Sequence, residues 1–263
     1  MPPFHVREAT AADHDAYCRL LPELRTGDPA PTPERWATRM APETLVVEAD
    51  GGVIATCWVR NLGAWAHVVH VIVDPAWQGR GVGKRLMHAV AQRLRREGST
   101  HWYLNVKRDN APALRLYASV GLGRRVESVA LKIPWTIVPS LPTRTDAPAP
   151  APLEPDADRA FEDRFDLVPG SIAAARARDE LPIHLGTSAL AVFNPTFPGA
   201  WCFRVAAPDL ARPLLEALRP HAPADVDHVM AMTDDAPAAE LLVAHGAELR
   251  LELYRLSGPL PTL

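Results

Sequence analysis

The pattern of apolar and polar positions divides the first half of the chain into alternating strands and helices. Apolar runs rich in β-branched residues favour strands, and apolar residues recurring at helical spacing, such as Val82, Leu86, Val90 and Leu94, favour helices. The predicted strands are residues 4–7, 44–48, 53–60, 64–73, 102–106 and 126–133. The predicted helices are residues 10–24, 33–40, 81–97 and 110–120. This order indicates an α/β (α+β) fold with helices flanking a central sheet.

A proline-rich segment separates this half from the rest of the chain. Repeated proline is excluded from helix interiors and favours extended, solvated chain. We therefore predict a semi-rigid linker at residues 139–156, between one domain at residues 1–138 and another at residues 157–263. In the second domain, residues 166–178 favour a helix and residues 189–193 a strand.

Part of the first domain is repeated in the second. Residues 109–122 align without gaps on residues 234–247, and six of the fourteen positions are identical. The identical positions include the proline of the first helical turn and the glycine that ends the helix. A strand follows in each copy, at residues 126–131 and 251–256. The matching order indicates an internal duplication.

Composition narrows the class of protein. Apolar residues make up 48% of the chain, enough for a core in each half, and the formal net charge of −3 gives no general attraction to nucleic acid or an anionic membrane. No apolar run approaches the ~18 residues of a membrane span, and the first residues lack the core of a signal peptide. Three scattered cysteines indicate neither a metal site nor a disulfide framework. We expect a cytoplasmic protein without a metal; the sequence predicts no oligomeric state.

The segment Gln78–Lys84 carries the most specific signal. It follows a predicted strand and leads directly into a helix, and it contains three alternating glycines. Unpaired N–H groups at a helix start, approached closely through glycine, can hold a pyrophosphate. The spacing fits neither a Walker loop nor a dinucleotide-binding fingerprint. The alternative interpretation is a plain glycine-rich turn.

This segment resembles motif A of the GNAT superfamily of CoA-dependent N-acetyltransferases, Gln/Arg-x-x-Gly-x-Gly/Ala, in which Gln78, Gly81 and Gly83 match the defined positions. Asn110, which opens a helix that carries Tyr117, resembles the second signature of that family. The resemblance covers about residues 4–134. It implies a GNAT fold, with a mixed central sheet between helices, and acetyl-CoA as the cosubstrate.

The resemblance also implies roles for individual residues. Backbone groups of Val71 and Val73 would hold the pantetheine arm like an added strand, and Asn110 would contact the same arm. The N–H groups of Gly79, Arg80, Gly81, Val82, Gly83 and Lys84 would hold the pyrophosphate, and Gln78 would also belong to the cofactor site.

Acyl transfer to an amine requires a proton acceptor for the amine and a proton donor for the leaving thiolate. The resemblance implies that Tyr117 is the donor; the alternative is a core aromatic residue. Family members often place a Glu or His seven residues before Asp74, and that position is His67. By strand alternation His67 and His70 should point to opposite faces of the sheet. We choose His67 as the base; the alternatives are a polar strand residue without that role, or a water chain.

The second domain aligns with Pro208 at Pro75 and Asp209 at Lys84, which deletes the whole phosphate loop. The carboxylate of Asp209 would repel an anion at that helix start. We therefore predict a tandem arrangement with a degenerate second GNAT-like domain that does not bind CoA.

The predicted reaction is acetyl transfer from acetyl-CoA to a primary amine by direct attack. The acceptor stays open among small molecules and peptide N-termini. Glu23, Asp28 and Glu34 would attract a cationic amine unless they are only solvated loop charges. The alternatives are a CoA-binding regulatory module without turnover and an N-acyltransferase that uses longer acyl groups.

Overall fold

The structure is a computed structural model that describes residues 4–27, 29–197 and 199–261. Two compact units compose it. Unit 1 comprises Met1–Val106, Asn110–Arg124 and Leu256–Leu263, and unit 2 comprises Lys107–Asp109 and Arg125–Arg255. Within the described ranges, no helix combines the length and apolar character that a membrane crossing requires.

Unit 1 follows the strand and helix order that the apolar pattern predicts. Its strands are β1 His5–Glu8, β2 Thr44–Ala49, β3 Gly52–Asn61, β4 Trp65–Val73 and β5 His101–Lys107. Its helices are α1 His14–Leu20, α2 Pro33–Arg35, which continues as a π-helical turn, α3 Val82–Arg96 and α4 Ala111–Ala118. Short 3₁₀ turns extend both ends of α1.

The sheet of unit 1 is mixed. Its strands lie in the order β1-β2-β3-β4-β5, antiparallel except for the parallel pair β4–β5. The register of β3 and β4 pairs Trp58 with His70 but Val59 with Val68, so Val69 is an extra residue in β4. Such a bulge bends the strand and shifts its side-chain alternation.

Helices cover both faces of this sheet. On one face, the predicted apolar stripe of α3 is buried, with Val82, Leu86, Val90 and Leu94 at most 1% exposed. On the other face, a separate cluster includes Tyr17, Trp36, Trp58 and Ile72. Two packed layers therefore hold β4 in place between them.

Unit 2 contains the remaining elements, except for the end of β12 from Leu256 onward, which belongs to unit 1. Its strands are β6 Arg124–Pro134, β7 Pro150–Pro152, β8 Leu181–Leu185, β9 Ala189–Asn194, β10 Gly199–Val205, β11 His228–Thr233 and β12 Glu248–Pro259. Its helices are α5 Asp158–Arg164, α6 Ser171–Arg176, α7 Ala211–Leu218 and α8 Ala236–Ala244. The strand order is β12-β6-β11-β10-β9-β8-β7.

The core of unit 2 also has two parts. Leu210, Leu214 and Leu218 pack with Phe193 and Phe203 in the larger cluster. A smaller cluster on the other side of the sheet contains Leu153, Phe161, Ile172 and Cys202.

The duplicated segments fold alike. In α4, the Asn110 side chain accepts a hydrogen bond from the Ala113 N–H at 3.2 Å; in α8, Asp235 accepts one from the Ala238 N–H at 3.1 Å. Gly121 and Gly246, which follow the two helices, both have positive φ values, 87° and 107°. The same cap and the same terminating glycine therefore recur in both units, as a duplication predicts.

The proline-rich segment differs from the expected solvated linker. Residues 150–152 form strand β7, which pairs antiparallel with β8, and Leu141 and Leu153 are buried. An edge strand tolerates proline because its outward-facing side needs no N–H groups.

The bounds of the two units also differ from the predicted domain bounds at residues 138 and 157. Strand β6 belongs to unit 2, whereas the last residues of the chain belong to unit 1, where the Leu260 N–H donates to the Thr100 carbonyl at 2.8 Å. The helix expected at residues 166–178 is shorter in the structure, where α6 spans Ser171–Arg176, because positive φ values at Asp166 and Gly170 keep the preceding residues in a turn.

Candidate active site

Strands β4 and β5 separate beyond His67. Their parallel register runs from Trp65, opposite His101, to His67, opposite Tyr103, and includes no later pair. The bulge at Val69 lies just beyond this point and turns β4 away from its neighbour. The remainder of β4 therefore has an edge that β5 does not pair.

Backbone groups of Val71 and Val73 face this edge. The Asp74 N–H donates to the Ile54 carbonyl of β3 at 2.8 Å, so Asp74 points its backbone groups toward β3. Because alternate residues point to opposite neighbours, the groups of Val71 and Val73 point the other way. An extended amide-containing arm can add there as a further strand.

The Gln78 side chain forms a hydrogen bond with one of these backbone groups. Its Nε2 donates to the Val73 carbonyl oxygen at 3.0 Å. Gln78 therefore fixes the turn after β4, and its amide group is directed back at the strand.

The glycine-rich segment forms an open loop at the start of α3. Gly79 and Gly81 have φ values of 73° and 79°, and a Cβ added at either position would meet no atom within 4 Å. Gly81 is the N-cap of α3, so the N–H groups of Val82, Gly83 and Lys84 begin the helix without partners inside it. The loop thus presents backbone donors and the positive end of a helix dipole to an exposed surface.

Gly83 has a different role from the other two glycines. A Cβ there would lie 3.1 Å from Leu116 Cδ2 and 3.6 Å from Val73 Cγ2. This glycine allows α3 to approach α4 and β4 closely.

Basic side chains surround the loop. The Arg80 guanidinium lies 5.2 Å from the centre of the Trp77 ring, and the Arg85 guanidinium 5.3 Å from that of Phe4. Lys84 is exposed on the first turn of α3. Asp74 is the acidic residue beside the loop, and Arg19 pairs with it at 2.8 Å and lowers its pKa.

Tyr117 lies on the α3 side of the sheet. It is 7% exposed, and burial, followed by the nearby Cys57 thiol, raises the pKa of its hydroxyl. Cys57 is paired with Val71 across β3 and β4. Tyr117 therefore lies near the unpaired edge and stays protonated at neutral pH. Asn110 is exposed at the start of the same helix, where its side chain serves as the cap.

The expectation that His67 and His70 point to opposite faces is wrong. Trp58 and Arg60 share one face of β3, and the register pairs them with His70 and His67 respectively. The Arg60 guanidinium stacks on the Trp58 ring at 4.4 Å, as this common face requires. The extra residue Val69 reverses the alternation between the two histidines, so both point away from Tyr117.

The structure brings a polar aromatic cluster to this second face. The Tyr17 hydroxyl and His70 Nδ1 share a hydrogen bond of 2.6 Å, and the His70 ring meets Trp58 edge-on at 5.3 Å. The Trp58 indole N–H donates to Glu43 at 2.9 Å. Tyr17, Trp58 and Glu43 come from three separate segments of the chain, and no motif in the sequence marks them as members of one cluster.

His67 lies where β4 and β5 part. Its ring stacks on Tyr103 with centroids 4.4 Å apart and an interplanar angle of 7°. The donor candidate and the base candidate therefore lie on opposite faces of the sheet, beside the opening between the two strands.

From the sequence, three acidic residues are expected to attract a cationic amine. Glu23 and Glu34 are exposed, and Asp28 lies outside the described residues.

The corresponding part of unit 2 is closed. A single 3₁₀ turn, Pro208–Leu210, joins β10 to α7, where unit 1 has its glycine loop. β10 contains a bulge at Trp201 and pairs with β11 only at Gly199 and Ala200. Beyond this point the Arg204 guanidinium donates to the Asp234 carboxylate at 2.7 Å. A partly buried ion pair thus bridges the strand ends that are open in unit 1.

Comparisons with known proteins agree with this geometry. The model of the acetyltransferase (GNAT) family matches residues 13–122. The N-alpha-acetyltransferase RimI of Mycobacterium tuberculosis is 35% identical over 129 residues, which are 46% of this chain and 80% of that protein. The mycothiol acetyltransferase of Nocardiopsis dassonvillei is 36% identical over 116 residues, which are 40% of this chain and 32% of that protein. The match thus spans about a third of that second relative.

The whole chain has the fold of a tandem GNAT protein. A tandem GNAT protein from the clavulanic acid biosynthesis pathway superposes with a TM-score of 0.57 at 15% identity, covering 98% of each chain. The fold and the loop after β4 define a protein with a CoA-type acyltransferase architecture. The chain belongs to the acetyltransferase (GNAT) family.

Proposed function

We propose that unit 1 transfers an acetyl group from acetyl-CoA to a primary amine. The observation that carries this proposal is the unpaired edge of β4, which leads directly to the open glycine loop at the start of α3. An amide-containing arm with a terminal pyrophosphate matches both parts. The backbone of Val71 and Val73 would hold the arm, and the N–H groups from Gly79 to Lys84 the pyrophosphate.

Acetyl-CoA supplies the acyl group as a reactive thioester. The Tyr117 phenol, kept protonated by burial, donates a proton to the leaving sulfur. His67, on the opposite face at the point where the strands part, takes a proton from the attacking amine. His70 is the alternative base, because both histidines share that face. Asn110 caps α4 and in this way positions Tyr117.

Unit 2 binds no CoA in this proposal. Three features support this: the loop deletion before α7, the carboxylate of Asp209 at that turn, and the Arg204–Asp234 ion pair between the strand ends. Unit 2 would then have a structural role or a role in binding the amine acceptor.

The acceptor class is the open part of the proposal. The names of the two relatives point to α-amino groups and to mycothiol chemistry. The test is release of free CoA thiol from acetyl-CoA with a panel of amines that includes peptides with free N-termini, small alkyl amines and amino acids. Turnover that depends on an amine supports the proposal. Binding of CoA without turnover on any of these amines would favour the regulatory module. Faster turnover with longer acyl-CoA would favour the other N-acyltransferase activity.

A further inference from the structure

Unit 2 contains a groove of about 850 Å³ at the edge of its sheet. This volume lies in the range of sites for small organic molecules, roughly 300–1,000 Å³. The proline-rich segment that the sequence suggests as a linker forms one wall, through β7. Residues of α7 and of the turn after it also line the groove, together with Arg176 at the end of α6.

The walls are apolar and stiff. The lining prolines are Pro150, Pro152, Pro182, Pro213 and Pro220. Leu153 and Ile183, both buried, also line the groove, and Ala217 on α7 has only a small side chain. Proline rings have little freedom to lose, so this wall is already formed before any ligand arrives.

The exposed edge of β7 offers hydrogen-bond acceptors without donors. The Leu153 N–H donates to the Pro182 carbonyl at 2.9 Å, so Leu153 and, by alternation, Ala151 direct their backbone groups toward β8. Pro150 and Pro152 consequently direct theirs outward, and proline has no N–H. A further strand is a poor occupant of this edge, because only two carbonyl oxygens are available to it.

The charges in the groove agree with the backbone. Asp179 and Glu216 are exposed carboxylates at the rim, and Glu216 accepts a hydrogen bond from Arg212 at 2.8 Å on the same helix. Glu180 is buried and already accepts hydrogen bonds from the Trp201 indole at 2.7 Å and from Arg178 at 3.2 Å. Arg176, the guanidinium among the described lining residues, is held by Asp158 at 2.8 Å and by the Leu153 carbonyl. His221 also lines the groove, on the turn after α7. Besides this imidazole and the paired side chains, the groove presents carbonyl oxygens and the carboxylates of Asp179 and Glu216 around an apolar interior.

We propose that this groove binds a small organic ammonium compound with an apolar body. The apolar part would lie against the prolines, and the ammonium N–H groups would donate to the outward carbonyls and the rim carboxylates. An anion of the same shape would meet two carbonyl oxygens and two carboxylates. This site is independent of the proposed acetyl transfer in unit 1.

Equilibrium dialysis of the full chain without acetyl-CoA tests the proposal. The probes are phenethylammonium and 3-phenylpropionate, which share a ring and a spacer but differ in charge. We expect phenethylammonium to bind about tenfold more tightly or better, since hydrogen bonds that involve a charged group are stronger than those between neutral groups. The double variant D179N/E216Q should remove most of this preference. Ala217→Phe should fill the groove and abolish the binding of phenethylammonium at this site.

The control is Asp163→Asn. Asp163 pairs with Arg159 four residues earlier on α5, as Glu216 pairs with Arg212 on α7, but it lies outside the groove. It should leave binding unchanged, and none of these variants should alter the rate of acetyl transfer. Equal affinity for the two probes, or a preference that survives D179N/E216Q, would overturn the proposal. The proposal would also be overturned if folded Ala217→Phe bound phenethylammonium with wild-type affinity.

Discussion

The Tyr17 hydroxyl and His70 Nδ1 lie 2.6 Å apart, which joins the first helix of unit 1 to the strand that precedes the glycine loop. Tyr17 is 1% exposed and packs against Trp36 with ring centroids 4.7 Å apart. The bond therefore fixes the orientation of the His70 ring on the face that also carries His67.

Tyr17→Phe separates a positioning role of this bond from a catalytic one. The variant keeps the ring but removes the hydroxyl partner of a half-buried imidazole, so we expect a loss of about 1 kcal/mol in the free energy of unfolding. Urea denaturation measures this loss. With His67 as the base, the pH dependence of kcat/KM should stay unchanged. A displaced acidic limb in Tyr17→Phe would assign the base to His70 instead.

His67→Asn should remove the acidic limb of the kcat/KM profile. A general base acts in its deprotonated form, so the rate rises with pH through the pKa of the imidazole, which is ordinarily ~6.5. Without that group the profile should be flat in this region, with the rate about 10²–10⁴-fold lower. His70→Asn is the matched variant on the same face. If His67→Asn retains the limb and His70→Asn loses it, the assignment is reversed; if both retain it, a water chain serves as the base.

Tyr117→Phe should lower kcat by about 10²–10⁴-fold and leave the melting temperature nearly unchanged. Burial raises the pKa of Tyr117, so the phenol is the protonated form throughout the neutral range. Wild-type activity should therefore show no loss caused by ionisation of Tyr117 below about pH 10, the ordinary value for tyrosine. Tyr254→Phe, in unit 2, is the control. A Tyr117→Phe variant with wild-type kcat would make the residue a core aromatic only.

The order of elements in unit 1 could be predicted from the sequence because its apolar periodicity is regular. Val82, Leu86, Val90 and Leu94 recur at helical spacing, and burial of that face follows directly. The positions of the site residues depend on irregular features instead. The extra residue Val69 brings His67 and His70 to one face, and no local pattern marks such a bulge.

The structural roles of some prolines and glycines also could not be predicted from the sequence. Pro150 and Pro152 occur in a strand because it is an edge strand, which depends on tertiary pairing with β8. Gly83 belongs to the motif of the loop, yet its missing side chain is needed for contact with Leu116. In both cases the deciding neighbour is distant along the chain.

Gly81→Asp and Gly81→Asn form a matched pair that tests the loop. Both residues tolerate the left-handed backbone of Gly81, at φ 79°, and an added Cβ meets no atom within 4 Å. The two variants differ mainly in charge. Gly81→Asp would place a carboxylate beside the bound pyrophosphate, and this repulsion should cost on the order of 1 kcal/mol of binding free energy, the size of a single charge effect at a helix terminus. Gly81→Asp should therefore bind CoA about fivefold more weakly than Gly81→Asn. Calorimetry measures both affinities. Equal affinities of the two variants for CoA would contradict the assignment of the pyrophosphate to this loop. Gly83→Asp is unsuitable for this test because its side chain would collide with Leu116.

The stoichiometry of CoA binding tests the division of roles between the units. We expect one CoA per chain, because β10 leads through the short turn at Pro208 directly into α7, and Pro208 contributes no N–H to bind a phosphate. The Asp209 carboxylate lies at that turn, where its charge opposes an anion. Farther along, the partly buried Arg204–Asp234 ion pair closes the gap between β10 and β11, so a ligand that enters there has to break it.

Isothermal titration of the full chain with CoA should therefore give a single site with a stoichiometry of one. In folded Gly81→Asp that site should weaken, and no binding of the original affinity should remain. A second equivalent site in the wild type would contradict the assignment of unit 2, as would a residual site of unchanged affinity in Gly81→Asp. Arg204→Ala distinguishes the two barriers in unit 2: a new weak site in this variant would identify the ion pair as the main obstacle. Continued binding of one CoA would identify the missing loop as sufficient, since without its N–H groups an opened gap still lacks a place for the pyrophosphate.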